Sequence, residues 1–186
     1  VFALPLAMAW YSFKLYTTKS REVLRQNEML RHSREALEQS YLSTVKALAA
    51  AVDAKDHYTL GHSEATMRYA VETAKVLGLS DAEVSVVQLA GLFHDIGKIG
   101  VPDGILGKNG QLTEQERVVI QAHPSIGAKV IRQVGLLKDV VPVILHHHER
   151  FDGRGYPTGL KGDQIPLAAQ VLAVADSFQA MTSTRP

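Results

Sequence analysis

Apolar residues recur at helical spacing along most of the chain, while the alternation that marks half-buried strands is almost absent. Residues 20–55 predict one long helix. Val23, Leu30, Leu37, Thr44 and Ala51 return every seven positions, with Tyr41 and Leu48 at the companion position of the same repeat. Asn27 and Arg34 make part of that companion row polar, so the seam is weak. It suits either a dimerising stalk of a signalling protein or a surface helix packed on the next domain. Before it, VFALPLAMAWYSFKLY is apolar over about thirteen residues, too few to span the ~30 Å of a bilayer core. The stretch reads as the end of a transmembrane helix, with Trp10 and Tyr11 at the interface and Lys14, Lys19, Arg21 and Arg25 on the cytoplasmic side. It reads equally as a plain buried segment or an expression scar. No basic stretch precedes it, which speaks against a signal peptide.

From Lys46 onward the pattern is that of a helical domain. A helix over Ser63–Leu77 should stop near Gly78. Ser80 with Glu83 and Thr113 with Glu116 form capping boxes, the first opening a helix toward Gly97 and the second one that extends to about Val134. Further helices cover Lys138–His148, with Pro142 in the first turn, and Leu167–Ser183. The glycine-rich stretches 97–110 and 150–165 read as ordered loops. The expected fold is an all-α bundle with a preceding long helix, divided as an apolar segment 1–19, a helical linker or weak coiled coil 20–45 and a domain 46–186.

Composition narrows the chemistry. The chain of 186 residues has no cysteine, which removes disulfides, thiolate metal sites and a cysteine nucleophile. Any metal must be held by imidazole, carboxylate or water. With 20 basic and 19 acidic residues and no dense basic stripe, nothing points to a nucleic acid polymer as partner.

Seven of the eight histidines lie between His57 and His148. His94 and Asp95 adjoin at the end of an apolar helix, where neighbouring side chains about 100° apart can grip one metal from two sides or reach across to a second. Gly97 would end that helix and let Lys98 fold back over the site. His62, His123, His147 and Asp176 complete a cluster that chance does not readily supply, whereas His32, His57 and His146 read as satisfied histidines or caps. Asp176, flanked by Val171, Val174, Ala175 and Phe178, would carry a large desolvation cost without a compensating cation. Imidazole and carboxylate without sulfur suit iron, manganese, zinc or nickel, and a pair of such ions suits phosphoryl transfer. Lys98 would then neutralise a non-bridging phosphate oxygen.

In the loop HHHERFDGRGYPTGLKGDQIP, Gly153, Gly155, Gly159 and Gly162 permit tight turns with positive φ, while Pro157 and Pro166 stiffen what lies between. Arg154 offers a planar fork for phosphate or guanine and Tyr156 a stacking face, so the loop reads as a substrate wall. Arg185, just over two helical turns beyond Asp176, can reach the same cleft.

With these residues in place, residues 42–186 resemble the HD-GYP family of the HD phosphohydrolase superfamily. The motifs that carry the likeness are HYTLGHS, LFHDIGKIGVPDGIL, LTEQERVVIQAHPSIG, the loop above and VLAVADSFQAMTSTRP, in that order. The resemblance implies a metal-dependent hydrolase of the bacterial messenger cyclic di-GMP, giving linear pGpG and in some members GMP. It also implies a first metal among His62, His94, Asp95 and Asp176, and a second bound by Asp95, His123, His147 and His148. Asp95 and Lys98 would be catalytic, and Lys98, Arg154, Tyr156 and Arg185 would meet substrate. Tyr58 stands where some members carry a glutamate for a third metal, so two ions, iron or manganese, are expected. His57 replaces a usual proline and Gln179 a common aspartate, and neither change removes an expected ligand. The family continues past Arg185–Pro186 with tyrosine and basic residues. A cytoplasmic domain is expected, with membrane attachment through upstream sequence and a homodimer through the N-terminal helix as further partners. The rival readings are another cyclic dinucleotide, such as 3′3′ cyclic GMP-AMP, and a non-catalytic receptor for cyclic di-GMP.

Overall fold

A computed structural model describes residues 3–55 and 61–183, apart from the side chains of Ala3, Leu4, Leu42 and Val45. His57, Tyr58 and Arg185 lie outside the described residues. Those described form helices and turns with no strand: α1 (Ala3–Lys55), α2 (His62–Val76), α3 (Asp81–Phe93), α4 (Asp103–Leu106), α5 (Glu114–Gln121), α6 (His123–Ile131), α7 (Val141–His146) and α8 (Leu167–Thr182). Short 3-10 turns cover Ile96–Gly100, Gly135–Leu137 and Gly162–Gln164. The all-α expectation therefore holds. The chain divides into two compact units, Val1–Thr44 and Val45–Pro186.

The first unit is the greater part of α1, which begins well before the expected position 20. No glycine or proline stands between Leu6 and Lys55, and Pro5 occupies the first turn, where its missing N–H costs no bond. Exposed pairs one turn apart, Arg31–Glu35 at 3.4 Å and Arg34–Glu38 at 2.9 Å, each add about 0.2–0.5 kcal/mol. His32 is exposed beside Glu35. Among the described residues no helix is long and apolar enough to cross a membrane.

In the second unit α2 packs on α3 and α8, and α6 packs on α7 and on the 3-10 turn Ile96–Gly100. Ala70, Ala74, Val87, Ala90, Ile144 and Leu172 are sealed from solvent and form the centre of this core. Fully burying a side chain such as Ile144 or Leu172 is worth about 1.5–3 kcal/mol. Both expected capping boxes are present, with Ser80 accepting from the Glu83 amide and Thr113 from the Glu116 amide.

Boundaries within the second unit differ from expectation as well. The helix from Thr113 breaks at Ala122, because Pro124 has no N–H for the carbonyl of Ile120. The segment expected as Lys138–His148 is helical only over Val141–His146. The apolar helix before Asp95 ends at Phe93, with Asp95 itself at φ −92° and ψ 2° in a turn. Gly97 is therefore not its terminator. A Cβ at Gly97 would sit 1.9 Å from the His123 carbonyl oxygen and 2.6 Å from the Gly127 nitrogen, so glycine is needed for close approach of the turn to α6.

Replacing Gly97 by Ala should therefore cost about 1–3 kcal/mol in urea unfolding, the scale of overpacking in a closed contact. Gly104→Ala, where an added Cβ meets nothing within 4 Å, should stay within about 0.5 kcal/mol of the parent.

Candidate metal centre

Three of the histidines are aimed by the same local device. His94 closes α3, His147 closes α7 and His123 follows the end of α5, positions where the last helical carbonyls lack amide partners. Each ring turns its Nδ1 to the carbonyl three residues earlier: His94 to Gly91 at 2.9 Å, His123 to Ile120 at 2.8 Å and His147 to Ile144 at 2.7 Å. Pro124 has no N–H to offer the Ile120 carbonyl, which accepts instead from a backbone amide of the helix cap and from His123 Nδ1. Donation from Nδ1 fixes the tautomer and leaves the Nε2 lone pair facing inward. His62, the first residue of α2, is oriented instead by the Gln179 carboxamide on α8, whose oxygen accepts from Nδ1.

These inward atoms converge as two adjoining groups, His62, His94 and Asp95, and His123, His147 and His148, the ligand atoms of each lying within 4.8 Å of one another. Asp176 joins the first, with Oδ1 at 3.0 Å from His62 Nε2 and 3.8 Å from His94 Nε2. Asp95 stands between the two. Its Oδ2 is 3.4 Å from His94 Nε2 and its Oδ1 is 3.4 Å from His123 Nε2. Lys98 Nζ lies 2.8 Å from Asp95 Oδ2. The expected ligands within the described residues thus meet in one place.

The arrangement calls for positive charge. His62 and His94 bring Nε2 atoms within 3.2 Å of each other, and His123 and His147 within 3.4 Å. With the Nδ1 protons committed elsewhere, the neutral rings of each pair present two lone pairs face to face beside carboxylate oxygens, a repulsion that a proton shared between His62 Nε2 and Asp176 relieves in the first pair alone. Buried acceptors so placed repel unless a cation lies among them, and imidazole with carboxylate is a donor set that divalent transition ions accept. The residues therefore fit two metal ions.

Electrostatics sorts the groups. Burial opposes charge on Asp95, but His94, Lys98 and His123 hold its carboxyl well below the usual carboxylate range. Burial likewise disfavours charged Asp176, yet the His62 hydrogen bond and the nearby His94 keep its pKa low. For His62 burial favours the neutral ring, and the Asp176 hydrogen bond, the Asp95 charge and the Gln179 hydrogen bond together raise its pKa. In the second group burial dominates: it lowers His123, carries His147 well below the usual range with His148 and His94 adding to the effect, and brings His148 down to about 4. That trio is neutral at pH 7, the protonation state that metal binding requires.

The expected substrate loop closes against the second group. The Tyr156 ring lies 4.9 Å from that of His148 at 31° and 6.5 Å from that of His123. Burial, with Asp95 and Asp176 nearby, raises the Tyr156 pKa, so its hydroxyl stays a donor at neutral pH. Arg154 is exposed, and its amide donates to Asp152. Gly153, Gly159 and Gly162 adopt positive φ, but Gly155 does not; there a Cβ would meet the Arg150 nitrogen at 2.3 Å. The surroundings of Asp176 also differ from expectation. Val174 and Phe178 are 64% and 46% exposed, so of the four apolar neighbours only Val171 and Ala175 are buried, and the His62 and His94 rings face the carboxylate.

Sequence reasoning missed Glu149. Its carboxylate, 5% exposed, accepts from the Thr158 amide at 2.8 Å, the Thr158 hydroxyl at 2.7 Å and the Leu160 amide at 3.1 Å, and so pins the loop that carries Tyr156. His146, read as a satisfied histidine, lies 3.6 Å from the same carboxylate. No pattern in the chain distinguishes Glu149 from a surface glutamate, because two of its hydrogen-bond donors are backbone amides, which carry no residue signature.

A family profile described as HD domain matches residues 44–186. The chain is 40% identical over 177 residues to the cyclic di-GMP phosphodiesterase response regulator RpfG of Xanthomonas campestris, covering 91% of this chain and 45% of that protein. It is 40% identical over 151 residues to 3′3′-cGAMP-specific phosphodiesterase 3 of Vibrio cholerae, covering 81% of this chain and 33% of that protein. The chain therefore spans less than half the length of either relative. Among solved structures it is similar to Bd1817, an HDG"Y"P protein from Bdellovibrio bacteriovorus. The TM-score is 0.55 at 22% identity, over 65% of this chain and 40% of that one, a likeness of fold.

Two expectations follow from the geometry. In metal-free protein the depressed histidines oppose protonation when folded, while the unfolded chain protonates near pH ~6.5. Their contribution to stability is present above that pH and is lost as pH falls toward about 4, the value for His148. His62, with a raised pKa, works in the opposite sense as one group against three. Thermal melts of chelator-treated protein should therefore show stability falling from pH 7 to 4, with a shallower slope in His148→Asn. Glu149→Ala should cost about 1–3 kcal/mol by leaving loop donors without an acceptor. It should also speed hydrogen exchange at Thr158 and Leu160.

Proposed function

Because this chain belongs to the HD-domain family, we propose that it is a metal-dependent phosphodiesterase of the HD-GYP type that opens cyclic di-GMP to linear pGpG, with GMP as a further product. The observation that carries this reading is Asp95, buried between two convergent groups of ligands with one carboxylate oxygen toward each. In the proposed assignment His62, His94, Asp95 and Asp176 hold a first ion, and Asp95, His123, His147 and His148 a second. When bound, two divalent ions, iron or manganese by the imidazole-rich donor set, supply Lewis-acid charge and an activated water for in-line attack at phosphorus.

The chain's own groups do the rest. Lys98, held by Asp95 at 2.8 Å, directs its ammonium at a non-bridging phosphate oxygen, where negative charge grows during displacement. Tyr156 keeps its phenolic proton and can donate to phosphate or lay its ring along a base. Arg154, exposed two residues earlier, offers a bidentate fork to phosphate or guanine. Arg185 belongs to the proposed phosphate-side residues. In this reading residues 46–186 are the phosphohydrolase domain and 20–45 a linker. The domain works in the bacterial cytoplasm, with dimerisation through α1 and membrane attachment through upstream sequence.

A second reading is supported by the Vibrio cholerae relative, whose name specifies 3′3′-cGAMP. Two cyclic dinucleotides that differ at one base present the same phosphodiester to Asp95 and Lys98, so these residues do not separate them.

The test is anaerobic turnover of both cyclic dinucleotides with iron or manganese supplied. The parent should yield linear pGpG from cyclic di-GMP, and the double substitution His94→Ala with Asp95→Ala should abolish turnover and lower bound metal. Full hydrolysis by the double variant would overturn the assignment. Faster turnover of 3′3′ cyclic GMP-AMP would favour the second substrate.

A further inference from the structure

The last turn of α1 reaches both arms of the first ligand group. Asp53, 4% exposed, accepts from the Ser63 hydroxyl at 2.7 Å and the Ser63 amide at 3.3 Å, and Ser63 directly follows His62. Two residues on, Lys55 Nζ donates to the carbonyls of Val101 at 2.8 Å, Ile99 at 2.9 Å and Lys98 at 3.3 Å, with Asp103 at 3.4 Å. Those carbonyls belong to the turn Ile96–Gly100 and its cap, which begins immediately after Asp95 and carries Lys98. The carbonyl end of a helical turn attracts a cation, and an ammonium with three donors matches three converging oxygens. Ala49 and Val52, 5% and 6% exposed, bury the same stretch of α1 in the domain.

We propose that Asp53 and Lys55 are positioning residues. Asp53 sets the start of α2 and with it His62, and Lys55 sets the turn that presents Asp95 and Lys98. The inference rests on the metal-site reading above, and in it each residue acts through a neighbouring backbone segment. Through Ser63, Asp53 acts on the first group, because Ser63 adjoins His62 and no member of the second trio. Lys55 acts on the alignment of Lys98 with the reacting phosphate, which alters turnover more than substrate affinity.

The test uses the full chain with Mn²⁺ as the probe ion and cyclic di-GMP as substrate. In titrations the parent should bind two ions. Asp53→Ala should weaken one of them at least tenfold and leave the other within threefold. Lys55→Met should lower kcat about tenfold with KM within twofold, and Lys55→Arg, which keeps several donors for the carbonyls, should return kcat to within threefold of the parent. Equal weakening of both ions in Asp53→Ala, or of neither, overturns the role of Asp53. A kcat in Lys55→Met within twofold of the parent, or no recovery in Lys55→Arg, overturns that of Lys55. A parent that binds two ions but hydrolyses neither cyclic dinucleotide defeats the functional reading and the role of Lys55 in turnover, and the Asp53→Ala titration then decides the remaining arm.

Discussion

The constraint on which the rest depends is the crowding of electron-pair donors around the Asp95 carboxylate. Asp95, His94, His123 and His147 are all 5% exposed or less, so water cannot relieve the repulsion among their lone pairs. Such a cluster stands only if opposite charge is supplied inside it. Lys98 supplies part, and two divalent ions fit the remainder. A centre that needs bound cations is coupled through its ligands to the stability of the fold around it.

The fold meets that constraint with few devices. Helix ends have spare carbonyls, and a histidine placed at such an end can take one through Nδ1 while aiming Nε2 forward. Three separate helices contribute rings in this way, and α2 and α8 bring the fourth with Gln179 and Asp176. Because each ring is held by its own segment, the precision of the cluster depends on how those segments pack. The bare backbone at Gly97 matters for that reason: it lets the turn after Asp95 lie directly on the helix that begins with His123.

Charges paired with several backbone groups supply a second level of order. Glu149 gathers amides of the loop that follows it, and Lys55 gathers carbonyls of the turn that holds Lys98. Both tie an irregular segment to a regular one. Loops beside reactive groups must be held without helix or sheet hydrogen bonds, and a single ion with several backbone partners does so compactly.

Local codes were legible in the chain itself. The capping boxes at Ser80 and Thr113 depend on residues three apart, the all-α class on periodicity, and the candidate ligands on an unusual density of histidine and aspartate without cysteine. The early start of α1 was also written there, in the absence of any breaker after Pro5, but the change from apolar to basic residues obscured it. The break at Ala122 is local too, set by Pro124 together with the use His123 makes of the Ile120 carbonyl. Other features depended on partners distant in sequence. The role of Gly97 required knowing that His123 lies against it, and the roles of Glu149 and Lys55 required knowing which backbone groups face them. The sequence by itself determined which elements form and which side chains can bind metal, since propensity, capping and ligand chemistry are properties of near neighbours. Only the tertiary structure decided how Asp95 stands between the two groups and what holds it there, because those distances arise from packing among segments far apart in the chain.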